Sequence, residues 1–168
     1  MEKKINIKLY TERTEISAVP PFVAASAGVA MNAAQDNETD KMEMFTEGIM
    51  KVDGERVEIS YEETEMSGMA GTTTRLIFDT SLLGTMTMMR TGPVKVTMVF
   101  EKGLRHVCRY DTGIIPFELV LTTSYVDNRL LTEGELYIDY TTELARSSRA
   151  ITRMKMKVWD AIEESVKV

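Results

Sequence analysis

Met50-Lys51-Val52-Asp53-Gly54-Glu55-Arg56-Val57-Glu58-Ile59-Ser60-Tyr61-Glu62-Glu63-Thr64 decides the fold. Asp-Gly at the centre suits a tight hairpin turn, because glycine reaches positive φ without steric penalty. On the second arm Val57, Ile59, Tyr61 and Glu63 fall on one face, and Glu58, Ser60 and Glu62 on the other. A period of two is the signature of a strand with one buried and one wet face.

The same period recurs along the chain. Ile5, Ile7 and Leu9 alternate with Lys4, Asn6 and Lys8; Val94, Val96, Met98 and Phe100 with Lys95 and Thr97; Leu136, Ile138 and Tyr140 with Glu135 and Asp139. Turn chemistry punctuates these runs at Ser67-Gly68, Gly71, Thr91-Gly92-Pro93, Lys102-Gly103 and Asp127-Asn128. Together they predict strands near 3–13, 42–52, 55–64, 72–80, 84–91, 93–101, 104–112, 116–126, 130–142 and 149–158. Short connections imply that sequence neighbours pair antiparallel. So many strands strain a single open sheet, and closure removes the exposed edges. The expectation is one all-β domain over 1–168: an antiparallel up-and-down calycin- or lipocalin-like barrel of about eight to ten strands. A two-sheet sandwich is the competitor.

Two segments break the alternation. Ile16 to Asp40 is Ala-rich and opens on Pro20-Pro21. It reads either as an insertion with a short helix through about Gln35, Pro21 in its first turn, or as a surface loop. Trp159 to Val168 reads as a charged tail or a last helical turn.

Composition limits the function classes. The 168 residues are 43% hydrophobic and 27% charged, with a formal net charge of -6. That balance suits a globular domain and disfavours nucleic acid, although Arg146 to Lys157 is locally basic. No run reaches the length of a membrane-spanning helix, so no membrane partner is expected. The first residues lack the continuous apolar core of a secretion signal. With Cys108 as the single cysteine, a reducing, cytoplasmic setting is expected.

Several short motifs stand in a telling order: Tyr61-Glu62-Glu63-Thr64, Thr74-Arg75-Leu76-Ile77-Phe78, Met89-Arg90-Thr91-Gly92, Met98-Val99-Phe100-Glu101-Lys102-Gly103, Tyr110-Asp111-Thr112 and Gly134-Glu135-Leu136-Tyr137-Ile138-Asp139-Tyr140. In these, residues 42–142 resemble the YwiB-like family, small bacterial proteins with a calycin-type barrel and no assigned function. The chain departs from the family in its longer Ile16–Asp40 insertion, and in the glycine and proline placement of Gly113-Ile114-Ile115-Pro116-Phe117. The resemblance implies a fold and supplies no catalytic residues.

Alternation and strand direction locate the polar groups. If the apolar faces point inward, so do Glu63, Arg90, His106 and Tyr110. In an up-and-down order the strands ending near Glu63, Arg90, Thr112 and Tyr140 run the same way. Their ends then meet at one mouth, from which the insertion also leaves. The candidate ligand-binding residues are therefore Tyr61, Glu63, Arg90, Tyr110, His106, Thr112 and Tyr140. Arg90 either pairs with Glu63 in a buried network or awaits an anion. His106 beside Cys108 also fits a hydrogen-bonded core histidine, and one His with one Cys is too few for a metal site. Glu62, Glu63 and Glu65 form an acidic run that suits a solvated face better than a glycosidase pair. No cofactor and no nucleophile–base set is expected. The leading expectation is a module binding a small amphiphilic or anionic molecule. The alternative is a structural or protein-interaction barrel filled by its own side chains, with a homodimer as one form of partner, and an enzyme stands third.

Overall fold

A computed structural model describes residues 1–16, 38–144 and 148–162. They form ten strands: β1 Glu2–Ile16, β2 Thr39–Asp53, β3 Arg56–Glu62, β4 Thr73–Asp79, β5 Thr85–Thr91, β6 Val96–Glu101, β7 Arg105–Tyr110, β8 Phe117–Arg129, β9 Glu135–Leu144 and β10 Ser148–Asp160. One short 3-10 turn, Glu65–Ser67, lies between β3 and β4. Most of the Ile16–Asp40 insertion, and with it the short helix expected there, falls outside the described residues, as does the end of the C-terminal tail.

All ten strands belong to one sheet in the order β6-β5-β4-β3-β2-β1-β10-β9-β8-β7. Every ladder is antiparallel and joins sequence neighbours, except that β1 also pairs with β10. This is an up-and-down meander wrapped into a nearly closed barrel, consistent with a calycin-like architecture. It follows from the alternation: Ile5, Ile7 and Leu9 of β1, Val57 and Ile59 of β3, Met86 and Met88 of β5 and Leu136 and Ile138 of β9 are all buried. Their intervening neighbours face water. Each such side chain contributes about 1.5–3 kcal/mol on burial.

Closure bends the sheet, and Gly48 shows where. A Cβ there would lie 2.7 Å from both the Ile7 side chain and the Ser60 carbonyl oxygen. Only glycine lets β1, β2 and β3 approach this closely at an inward position.

The structure corrects the expected boundaries in three places. β1 and β2 extend to Ile16 and from Thr39, still paired at Thr14↔Thr39, so the break in the pattern is shorter than 16–40. Asp127-Asn128 is not a turn. Both residues lie inside β8, where Asp127 joins Glu133 and Glu135 in holding Arg129. The reversal comes later and ends at Gly134 (φ 70°), where a Cβ would meet the Val158 carbonyl oxygen. Trp159 belongs to β10 rather than to a tail.

A fourth correction concerns β6 and β7. They are joined by a short turn at Lys102-Gly103 yet form no ladder, and only the bridge Lys95↔Asp111 spans them. The turn is anchored elsewhere: Gly103 N–H donates to the Thr123 carbonyl, and Thr123 N–H to that of Leu104. A bulge in β8 between Thr123 and Tyr125 bends that strand at the same level. The barrel therefore carries one seam. By ladder alternation, the amides of Thr97 and Val99 on β6 and of Val107 and Arg109 on β7 face it without strand partners. Residue-resolved hydrogen exchange should find these four amides at least about tenfold less protected than those of Ile7 and Ile59. Equal protection would mean that the seam is closed by hydrogen bonds.

Candidate functional site

β1, β3, β5, β7 and β9 run in one direction, so their C-terminal ends meet at one end of the barrel. The starts of the other five strands meet them there. At this end opens a cavity of about 780 Å3. That is within the range of small-molecule sites. Its apolar wall includes Leu9, Met42, Met98, Leu119 and Met154. The loop after β3 contributes Met66 to Met69 to the rim. This loop holds its shape through Gly68, whose N–H bonds the Glu65 carbonyl, and through Ser67 Oγ, which bonds that of Thr64.

Glu63, Arg90, Tyr110, Thr112 and Tyr140 line this cavity. Tyr61 lies behind them, buried in the core, with its hydroxyl lacking a hydrogen-bond partner. His106 does not line it. Four residues before Tyr110, it sits roughly 13 Å back along the strand at the usual rise. Its Nε2 lies 3.9 Å from Glu101 Oε2. Cys108 donates its Sγ hydrogen to the Leu119 carbonyl, and burial pushes its thiol upward, away from nucleophilic use.

The centre of the site is an ion pair. Arg90 Nε is 3.7 Å from Glu63 Oε1, with side chains 14% and 1% exposed. Thr74 Oγ1 donates to the same Oε1 at 2.6 Å. Among the described residues the second oxygen, Oε2, has no hydrogen-bond partner, and neither does Arg90 Nε. Arg90 and Glu63 are thus placed together but not fully satisfied. Around them stand two phenols. Tyr61 is pushed far above its ordinary value by burial and then by the Glu63 carboxylate, with Arg90 pulling the other way. Burial likewise raises Tyr140, opposed first by Arg90. Both phenols stay neutral and can only donate or accept hydrogen bonds. Tyr110 stacks on Phe117 with ring centres 5.1 Å apart, fixing the β7–β8 side of the mouth.

The described lining carries the cations Arg13, Lys41, Arg90 and Arg149 against Glu15, Asp40 and Glu63. A chain with a net charge of -6 therefore has a mouth with one surplus positive charge. Arg13 pairs with Glu15 at 3.3 Å and Arg149 with Glu143 at 3.7 Å, each more than half exposed. Sequence reading missed both arginines, because each lies at the end of an expected strand and the two reach one rim only when β1 pairs with β10. It missed the Met66–Met69 loop as well, since a turn carries no periodic signal of what it covers.

The fold and the site together define a class: an up-and-down ten-stranded barrel, one end of which opens into a cavity with a buried arginine–glutamate pair. Residues 29–156 match the family described as Domain of unknown function (DUF1934), and the chain belongs to that family, the YwiB-like family. In overall fold it is similar to the crystal structure of ywiB protein from Bacillus subtilis, at 17% identity and a TM-score of 0.62, over 95% of this chain and 94% of that one. No curated protein matches the sequence.

The pair is testable by itself. Removing Arg90 strands a buried carboxylate, so Arg90→Met should cost roughly 3–5 kcal/mol in urea unfolding. The double variant Arg90→Met/Glu63→Gln should recover most of that loss. Strictly additive costs would show that the two side chains do not interact.

Proposed function

We propose that this protein is a binding module that takes a small amphiphilic anion into the barrel mouth, its charged head toward Arg90 and its apolar part along the methionine-lined wall. The observation that carries this reading is Arg90 itself. It is largely buried, points into a cavity of about 780 Å3, and among the described residues its one ionic partner is Glu63 at 3.7 Å. A purely structural arginine at such depth is normally saturated with hydrogen bonds. The methionines Met42, Met66, Met69, Met98 and Met154 give an adaptable apolar wall, suited to a flexible chain rather than one rigid shape. The negative overall charge disfavours nucleic acid as the occupant. Among the described residues no helix is long and apolar enough to cross a membrane, and the unpaired Cys108 fits a reducing, cytoplasmic setting.

Calorimetric titration with sodium decanoate, decyl sulfate and decyltrimethylammonium separates the readings. Saturable one-to-one binding of the two anions is expected, with no binding of the cation. A charge-assisted contact is worth about 1.5–3 kcal/mol, so Arg90→Met should weaken decanoate about tenfold to a hundredfold. Thr142→Trp, which fills the rim and leaves the ion pair intact, should abolish binding. Equal uptake of all three amphiphiles, or of none, would overturn the proposal.

A further inference from the structure

The pair Glu63–Arg90 has a consequence for any anion that reaches it, and this inference rests on the binding reading above. The Glu63 side chain is 1% exposed, and among the described residues Arg90 at 3.7 Å is its one cationic partner. An anionic head on Arg90 would therefore lie against Glu63 as well. Other titratable and charged groups face this point from several strands. Tyr61 comes from β3, which ends just before Glu63, Tyr110 from β7 and Tyr140 from β9, while β1 gives Arg13 and Glu15, β2 Asp40 and Lys41, and β10 Arg149. Burial keeps Tyr61 and Tyr140 neutral. Arg13 and Arg149 are engaged with Glu15 and Glu143 at the exposed rim. Among the described residues no second buried cation stands by to hold a second negative charge.

Two anions sharing one arginine repel each other, and with Glu63 only 1% exposed that repulsion is poorly screened and favours a proton on one of them. The structure also offers the place for the compensating proton. Glu63 Oε1 accepts from Thr74, whereas Oε2 is buried with no partner among the described residues. Protonated there, Glu63 becomes a donor to the incoming head, and Arg90 is freed to serve it. We infer that this site binds its anion together with one proton taken from solvent onto Glu63, so that the barrel is a proton-coupled carrier of acidic amphiphiles. No bond other than the O–H bond at Glu63 forms or breaks, and charge inside the mouth is unchanged by loading.

The sign follows directly. Uptake of one proton means that affinity rises as pH falls, by about tenfold per pH unit across the window in which the free pair is ionised and the loaded site protonated. The test is titration calorimetry of the full chain with sodium decanoate and with decyl sulfate, each in phosphate and in Tris at one pH. The two buffers release protons with different heats, so the difference counts protons bound. About one proton per ligand is expected for both amphiphiles. Decyl sulfate does not take up the proton itself, which assigns the uptake to the protein. Glu63→Gln should still bind both, with no proton uptake and a flat pH profile. Binding without proton uptake by the natural chain would overturn this inference and leave the binding reading standing. Uptake that persists in Glu63→Gln would overturn the role of Glu63. Failure of both chains to bind either amphiphile would overturn the binding reading, and this inference with it.

Discussion

Everything in this barrel depends on β1 being hydrogen-bonded along both edges. It pairs with β2 from Glu2 to Thr14 and with β10 from Ile5 to Ile16. A chain built almost wholly of strands has no other way to satisfy its backbone: each edge left open exposes a row of donors and acceptors. By joining the first strand to the last, β1 converts a ten-stranded ribbon into a tube. Its inward residues Ile5, Ile7 and Leu9 then become shared core for both halves of the chain. The cost of wrapping appears locally, at Gly48 and at the bulge in β8. It appears globally as the seam between β6 and β7. That seam is flanked by Lys95, Arg105 and Arg109, and charges of this kind discourage an edge from pairing with another molecule.

The same meander makes the two ends of the tube unequal. Five strand ends and five strand starts converge on the mouth. The inward alternation continues into it with Glu63, Arg90 and Tyr110 instead of more aliphatic side chains. At this level the core stops being dry packing and becomes a polar cluster with incomplete hydrogen bonding. Buried polar groups left partly unsatisfied carry a real stability cost. Their concentration beside the cavity is the reason a binding role is proposed for this end.

Much of this was readable from residues alone. The Val57-Ile59-Tyr61-Glu63 face and the repeated alternation gave strand identity and, with the turn residues, the meander. From strand direction alone Glu63, Arg90, Tyr110, Thr112 and Tyr140 could be placed at one mouth. Other features were not legible, for physical reasons. Alternation gives the face of a strand but not the level along the barrel, which is why His106 was grouped with residues it does not reach. Asp127-Asn128 has turn chemistry, yet its acidic side chain is used in a cluster around Arg129 built from residues further along the chain. The seam depends on where β8 bulges, a property of the closed sheet rather than of β6 or β7. Arg13 and Arg149 come from opposite ends of the sequence and meet the site only after closure.

The methionines provide the most direct test of the central claim, that the mouth and not some other surface is the binding site. Met42, Met66, Met69, Met98 and Met154 line the cavity, whereas Met50, Met86 and Met88 are buried in the core away from it. With the methionine methyl groups isotopically labelled, nuclear magnetic resonance during titration with decanoate reads both sets at once. The account predicts that the five lining methyls shift together and saturate while the three core methyls stay in place. Shifts confined to other methionines, or none at saturating decanoate, would contradict it.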